Sequence, residues 1–481
     1  MKTQTAKSHL SLNRCAAALV FCLVSSGCGR HAAVSSHLTN GAGAADPLAW
    51  VLAPHEGAGP LDGEIRRGQA QLRAGTNPQI ALERLGWLFV AKARESLDSG
   101  FYKLAEQCAV CLDLRQPGRL EAMLLRGHAL QNQHRFREAE PLARDLATKR
   151  GFPFDFGLLG DVLMEQGQLA EATDAYQMMI DLRPDLHSYA RGAHIRWLKG
   201  DLTGAVELMG LAAGASSPLD PEPAAWVHTR LAFYRWQAGS LREAHHACDQ
   251  ALGFQGDYPA ALLLRGRIRL AEGNSIGAIE ALQIAARRSP LPEYQWALVE
   301  ALRLENRVDE AKEVESQLCQ KGAANDPRTY ALYLATCGGS VTEALRLAQA
   351  ELEARSDVFT HDALAWSLAA AGRFEEAQGQ MEKALAEGTH DGRLFFHAAV
   401  IGARAGQPVN ARLWFEKAAE YGHLLLPSEQ RQLQAAARDT NGESTQGSIA
   451  PPSFPLAQTE FPGSNKQHTT TQHKERKTTY E

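Results

Sequence analysis

At 481 residues, with 50 basic against 55 acidic side chains and a formal charge of −5, the chain has no excess of positive charge to offer a nucleic-acid backbone. Hydrophobic residues make up 44% and charged residues 22%, a mixture ordinary for a soluble globular protein. Ala, Leu, Glu, Arg and Gln fill the middle of the chain, and alternating runs of Val, Ile and Thr are missing, which predicts an all-α body.

The first segment reads differently. Lys2, Lys7 and Arg14 precede an apolar run from Cys15 to Val24, followed by Ser25, Ser26, Gly27 and Cys28. That run is too short for a membrane span of roughly 20 apolar residues, and the pattern predicts a secretory signal over residues 1–27. The ending VSSGC resembles a bacterial lipoprotein signal, although Ser25 stands where that family usually has an aliphatic residue. The resemblance implies lipidation of Cys28 as the first mature residue. Gly29 in place of an Asp implies a periplasm-facing, outer-membrane address, with membrane contact only through the lipid. A soluble export signal and an uncleaved start, which would leave a cytosolic protein, are the alternatives.

Residues 28–63 are mostly Ala, Gly, Ser, His and Pro without helical period and predict a flexible tether. Glu64 to Ala74 predicts a short capping helix, within an N-terminal capping region over 64–84, stopped by Gly75 and the Asn77-Pro78 pair.

From about Leu85 one small residue recurs. Ala105, Ala139, Ala172, Ala205, Ala244, Ala278, Ala311, Ala344, Ala377 and Ala411 are spaced by 33 or 34 residues, except for a gap of 39 between Ala205 and Ala244. Gly or Asn punctuates most units before the alanine, at Gly100, Asn132, Gly167, Gly200, Gly239, Gly273, Asn306, Gly372 and Gly406, where a turn needs positive φ. The clearest copy is PFDFGLLGDVLMEQGQLAEATDAYQMMIDLRPDL, Pro153 to Leu186. It reads as two amphipathic helices joined at Gly167, with Leu159, Gly160 and Leu163 on the first and Ala172, Tyr176 and Met179 on the second.

This unit resembles a tetratricopeptide repeat, a 34-residue helix-turn-helix that stacks because it cannot bury its apolar face alone. The resemblance implies a right-handed α-solenoid of about ten units over 85–426, whose first helices line a concave groove for a protein or peptide partner. Carried over by register from the alanines, the implied groove residues are His128, Asp161, His194, Trp197, Phe233, Trp236, Arg267, Trp296, Glu300, Arg303, Tyr333 and Trp366. Gly214 to Pro223, with three prolines, predicts a surface loop or a hinge. Residues 427–438 predict a polar cap helix, and 439–481 a disordered tail.

Chemistry is sparse. The chain has no phosphate loop, zinc helix, nucleophile elbow or calcium loop, so a non-enzymatic protein with no cofactor and no metal is expected. Cys108 and Cys111 form C-x-x-C at helical spacing with no βαβ pattern around them, which predicts packing rather than redox work. His245 and His246 point about 100° apart on a helix. His361-Asp362 and His390-Asp391 read as helix starts. The function expected is a protein-interaction scaffold of the bacterial envelope, and a ligand- or glycan-sensing module is the rival.

Overall fold

The computed structural model describes residues 46–440, among which there is no strand. Helices α1 (Pro47–Val51) and α2 (Pro60–Arg73) precede ten helical hairpins. These are α3 (Pro78–Ser96) with α4 (Gly100–Arg115), α5 (Leu120–Asn132) with α6 (Phe136–Lys149), α7 (Pro153–Glu165) with α8 (Leu169–Leu182), α9 (Leu186–Leu198) with α10 (Leu202–Gly214) and α11 (Pro221–Gln237) with α12 (Leu241–Phe254). Then follow α13 (Pro259–Ala271) with α14 (Ser275–Arg288), α15 (Pro292–Leu304) with α16 (Val308–Asn325), α17 (Pro327–Cys337) with α18 (Val341–Ala354), α19 (Val358–Ala370) with α20 (Phe374–Leu385) and α21 (Gly392–Arg404) with α22 (Pro408–Glu420). A single 3-10 turn, Gly422–Leu424, leads into α23 (Pro427–Thr440). The fold is an α-solenoid.

The third hairpin shows why these residues form such a unit. Pro153 opens α7 where its missing N–H is harmless, and the Asp155 carboxylate accepts from the N–H of Phe152 at 2.9 Å. Gly167 takes φ +75°, and α8 returns until Arg183 adopts extended backbone ahead of Pro184. A Cβ on Gly160 would collide with the Tyr176 ring, so the two helices approach more closely than any larger residue permits. Each of the ten repeat alanines lies on the second helix of its hairpin and is at most 1% exposed.

Several boundaries differ from the sequence expectation. At the first two turns the left-handed residues are Leu97 and His134, not Gly100 and Asn132, which are helical. Within the stretch expected as tether, residues 46–63 pack on the array: Val51 is fully buried, and Gln69 Nε2 donates to the carbonyls of Val51 and Ala53 at 2.9 and 2.8 Å. The capping region 64–84 is α2 plus the start of α3, so the first unit begins at Pro78. In the 214–223 insertion only 215–220 is non-helical, because Pro221 and Pro223 occupy the first turn of α11, where proline is tolerated. One hydrophobic cluster runs from Leu163 to Leu433 straight past this insertion, while smaller clusters hold Val51–Ala129 and Leu130–Val162. The signal, Cys28 and the tail beyond 440 lie outside the described residues.

The array winds far enough for its second half to lie on its first. The N–H of Ser356 donates to the carbonyl of Glu165 at 3.1 Å, and Thr389 Oγ1 donates to the carbonyl of Leu198 at 2.5 Å across 191 residues. His423 Nε2 donates to the carbonyl of Trp236 at 2.9 Å, and Arg267 Nη2 to that of Leu424 at 2.7 Å. Gly167 and Gly200 sit in this seam: a Cβ on them would meet the carbonyl oxygens of Ser356 and Gly388 at 2.5 and 2.7 Å. Helix α23, expected as a cap over the end of the stack, packs on the last hairpin, where Glu429 pairs with Arg393 at 2.7 Å, and also reaches back to α15 and α17. The Ser428 N–H donates to Glu300 at 3.1 Å, and Gln432 Nε2 to the carbonyl of Thr336 at 2.7 Å.

Candidate functional site

Winding leaves an interior cavity of about 620 Å³, bounded by residues from α3 at one side to the start of α19 at the other. That volume is within the range of small-ligand sites, roughly 300–1,000 Å³. Its wall is aromatic and charged. Tyr102, Trp226, Phe233, Trp236, Tyr258 and Phe359 supply rings, and guanidinium groups come from five helices or loops.

Most of that charge is neutralised locally. Arg94 pairs with Glu222, Arg267 with Glu293 at 2.7 Å, Arg328 with Asp357 at 3.0 Å, and Arg355 with Glu351 at 2.8 Å and Glu165 at 3.5 Å. Burial raises the Glu165 carboxyl to about 7, with the Asp357 charge adding to the rise and Arg355 opposing it. Burial works against the charge of Arg355 too, yet Glu351, Asp357 and Glu165 together hold its guanidinium above its ordinary value. Arg230 is the exception: it is 5% exposed, and no carboxylate among the described residues pairs with it. Its Nη2 donates to Tyr234 Oη at 2.8 Å and lies 3.2 Å from His194 Nδ1, while its guanidinium carbon lies 4.7 Å from the Phe233 ring centroid.

Of the twelve residues expected on a groove wall, four line the cavity: His194, Phe233, Trp236 and Arg267. The expected exposure fails for most of the others, because the second half of the array covers them or a neighbouring helix seals them. Trp197 is 1% exposed and donates to the carbonyl of His390 at 3.0 Å. Trp296 is fully buried beside Glu300, whose carboxylate is occupied by the Ser428 N–H. Trp366 stacks on His397 at 4.1 Å and donates to Thr336 Oγ1 at 2.9 Å, and Tyr333 donates to Glu315. His128 is buried against Trp87 and Tyr102. Asp161 is buried in a two-pronged pair with Arg191, Oδ1 and Oδ2 each 2.8 Å from a guanidinium nitrogen, and also accepts from Tyr176 and Gln131. Arg303 remains half-exposed and pairs with Glu315 at 2.7 Å.

The other candidates are structural. Cys108 and Cys111 are buried in α4, where desolvation raises both thiols. His361 and Asp362 lie inside α19 rather than before it. The cap is Asp357, and Asp362 is buried 2.7 Å from His397. Asp391 does cap its helix, accepting from Arg393 N–H at 2.9 Å. His245 pairs with Glu272 at 2.9 Å, and no cluster of three metal-ligating side chains occurs among the described residues. Sequence reading missed Arg230, Trp226, Glu165 and Arg355. For Arg230 a signal was present: an arginine with Phe233 and Tyr234 three and four residues on shares one helix face with both rings.

Residues 124–187 and 363–422 match the tetratricopeptide repeat family. No curated protein matches the chain in sequence. Among solved structures, the human IFIT1 dimer with m7Gppp-AAAA is 12% identical, covering 75% of this chain and 86% of that one with a TM-score of 0.43. The APC/C hetero-tetramer Cut9–Hcn1 is 12% identical over 81% of this chain and 98% of that one, TM-score 0.30. Yeast Tom70 is 14% identical over 79% and 95%, TM-score 0.32. The two matched stretches fall on α5–α8 and α19–α22, two hairpins towards each end of one array.

Proposed function

We propose that this protein is a protein-binding scaffold of the bacterial cell envelope that takes an extended segment of its partner into the interior cavity. The cavity carries the reading. Most residues of the expected groove are sealed by neighbouring helices or by the protein's own second half, and what lines the cavity is a wall of aromatic rings and guanidinium groups, residue types that dominate interface energetics. Tetratricopeptide repeats support a protein-interaction role. The basic, apolar and small-residue succession ending at Cys28 supports export and an outer-membrane lipid anchor. A small-molecule sensor is the second reading, favoured by a volume that fits a single small ligand.

A photo-crosslinking residue placed at Phe233, with the outward-facing Leu114 as control, tests the site in cells that make the full chain. One discrete adduct from position 233 and none from 114 is expected. Adducts only from 114 contradict the proposal. Incorporation of a labelled lipid precursor that disappears in Cys28→Ala tests the anchor, and persistence of the label in that variant excludes Cys28.

A further inference from the structure

Two consecutive hairpins place an arginine at the same point of their first helix. Arg191 on α9 and Arg230 on α11 each lie 14 residues before their repeat alanine, Ala205 and Ala244. Each guanidinium reaches back to the preceding hairpin, to the residue 11 before that hairpin's own alanine. For Arg191 this residue is Asp161, which accepts from Nε and Nη2 at 2.8 Å each. For Arg230 it is His194, at 3.2 Å from Nη2. One repeat therefore supplies a counterion, and the next replaces it with an imidazole. Burial and the Arg230 charge keep that imidazole neutral, since both depress its pKa well below the ordinary value.

The difference leaves a buried cation uncompensated at the cavity wall. Arg230 contacts two neutral groups, His194 and Tyr234, and its buried Nε has no hydrogen-bond partner. A buried guanidinium without a counterion is costly, and an N–H left without an acceptor adds to that cost. Arg94, Arg267, Arg328 and Arg355, on the same wall, each have a carboxylate. The Phe233 and Tyr234 rings, with centroids 4.7 and 5.0 Å from the guanidinium carbon, flank it within cation–π range.

We propose that Arg230 seats an oxyanion, a carboxylate or phosphate group, that enters the cavity and supplies the negative charge that Asp161 supplies one repeat earlier. The group arrives either on an acidic side chain of a bound polypeptide segment or on a free organic acid or phosphate. The site rests on the cavity being open to ligands, as under the proposed function, but not on which of these enters.

Titrations of the full chain with inorganic phosphate, with glutarate and with a blocked pentapeptide containing one Glu separate these sources, read by fluorescence of Trp226 and Trp236. At least one probe is expected to bind saturably. Arg230→Gln is expected to weaken it about tenfold or more, the usual size of a charge-assisted pair. His194→Asp keeps Arg230 but restores the internal counterion, so it is expected to abolish binding while raising the melting temperature. That variant guards against loss of binding through misfolding. Response to glutarate or phosphate alone upholds the oxyanion site and counts against a polypeptide occupant. Peptide binding that is unchanged in both variants overturns the oxyanion site and leaves the scaffold reading standing. No saturable response to any probe overturns the oxyanion site.

Discussion

The indole N–H of Trp197 donates to the backbone carbonyl of His390 at 3.0 Å, joining positions 193 residues apart. Next to it the Lys199 ammonium meets the Glu387 carboxylate at 2.9 Å, and Gly200 leaves just enough room for the carbonyl of Gly388. This seam turns an open groove into a cavity.

A pair of glycines isolates its contribution. Gly200 and Gly239 are both turn residues at positive φ, +81° and +72°, but a Cβ meets Gly388 only at the first and nothing within 4 Å at the second. Ala at either position suffers the left-handed penalty of about 1–2 kcal/mol. Chemical denaturation is expected to show Gly200→Ala as the more destabilised variant. Equal losses would mean that the seam adds nothing to stability.

The buried pair between Asp161 and Arg191 is fully hydrogen-bonded, and burial raises the aspartate's pKa while Arg191 opposes the rise. Asp161→Asn removes the carboxylate that holds the buried guanidinium of Arg191 with both its oxygens. A loss of about 3–5 kcal/mol is expected. In Asp161→Leu/Arg191→Met the loss is expected to be smaller, because no unpaired charge remains. Denaturation midpoints of the two variants give the comparison.

Acid sensitivity has an assignable source. Burial depresses His128 from 6.5 to about 3, with Arg94 and Arg191 adding to the effect. Its folded pKa is below its unfolded one, so its share of stability is complete above pH 6.5 and declines as the pH falls from there toward 3. His187, depressed to about 4 by burial and Arg191, acts with the same sign. Melting temperatures of His128→Gln between pH 7 and 4 are expected to fall less steeply than those of the parent, and parallel curves would remove His128 from the account.

Repeat phase was legible because it is written in side chains. Ala172 and its equivalents occupy the closest approach of paired helices, and only small residues fit there. The seam was not legible because many of its contacts end on backbone carbonyls, such as those of Glu165, Leu198, Trp236 and Leu424, which any residue supplies. Aromatics such as Trp197 and Trp296 therefore read as groove candidates, although they pack within and between turns of the array. The order of residues 46–63 was hidden for a related reason: Gln69, on a neighbouring helix, holds them by their carbonyls.

Overpacking tests the shared phase. Ala172 is fully buried against α7, and Ala172→Trp is expected to lose at least about 1–3 kcal/mol. Trp at Gln177, whose side chain reaches no further than Asp181 on the same exposed face, is expected to be near neutral. Similar melting temperatures for the two would contradict the packing described.

Closure of the array is the claim on which the cavity depends, and a distance measures it. Spin labels at Lys199 and Glu387, whose side chains form the ion pair across the seam, are expected to give one narrow distribution at short distance in the full chain. A broad distribution centred at long distance would show that the two halves of the solenoid stand apart and that the interior is an open groove.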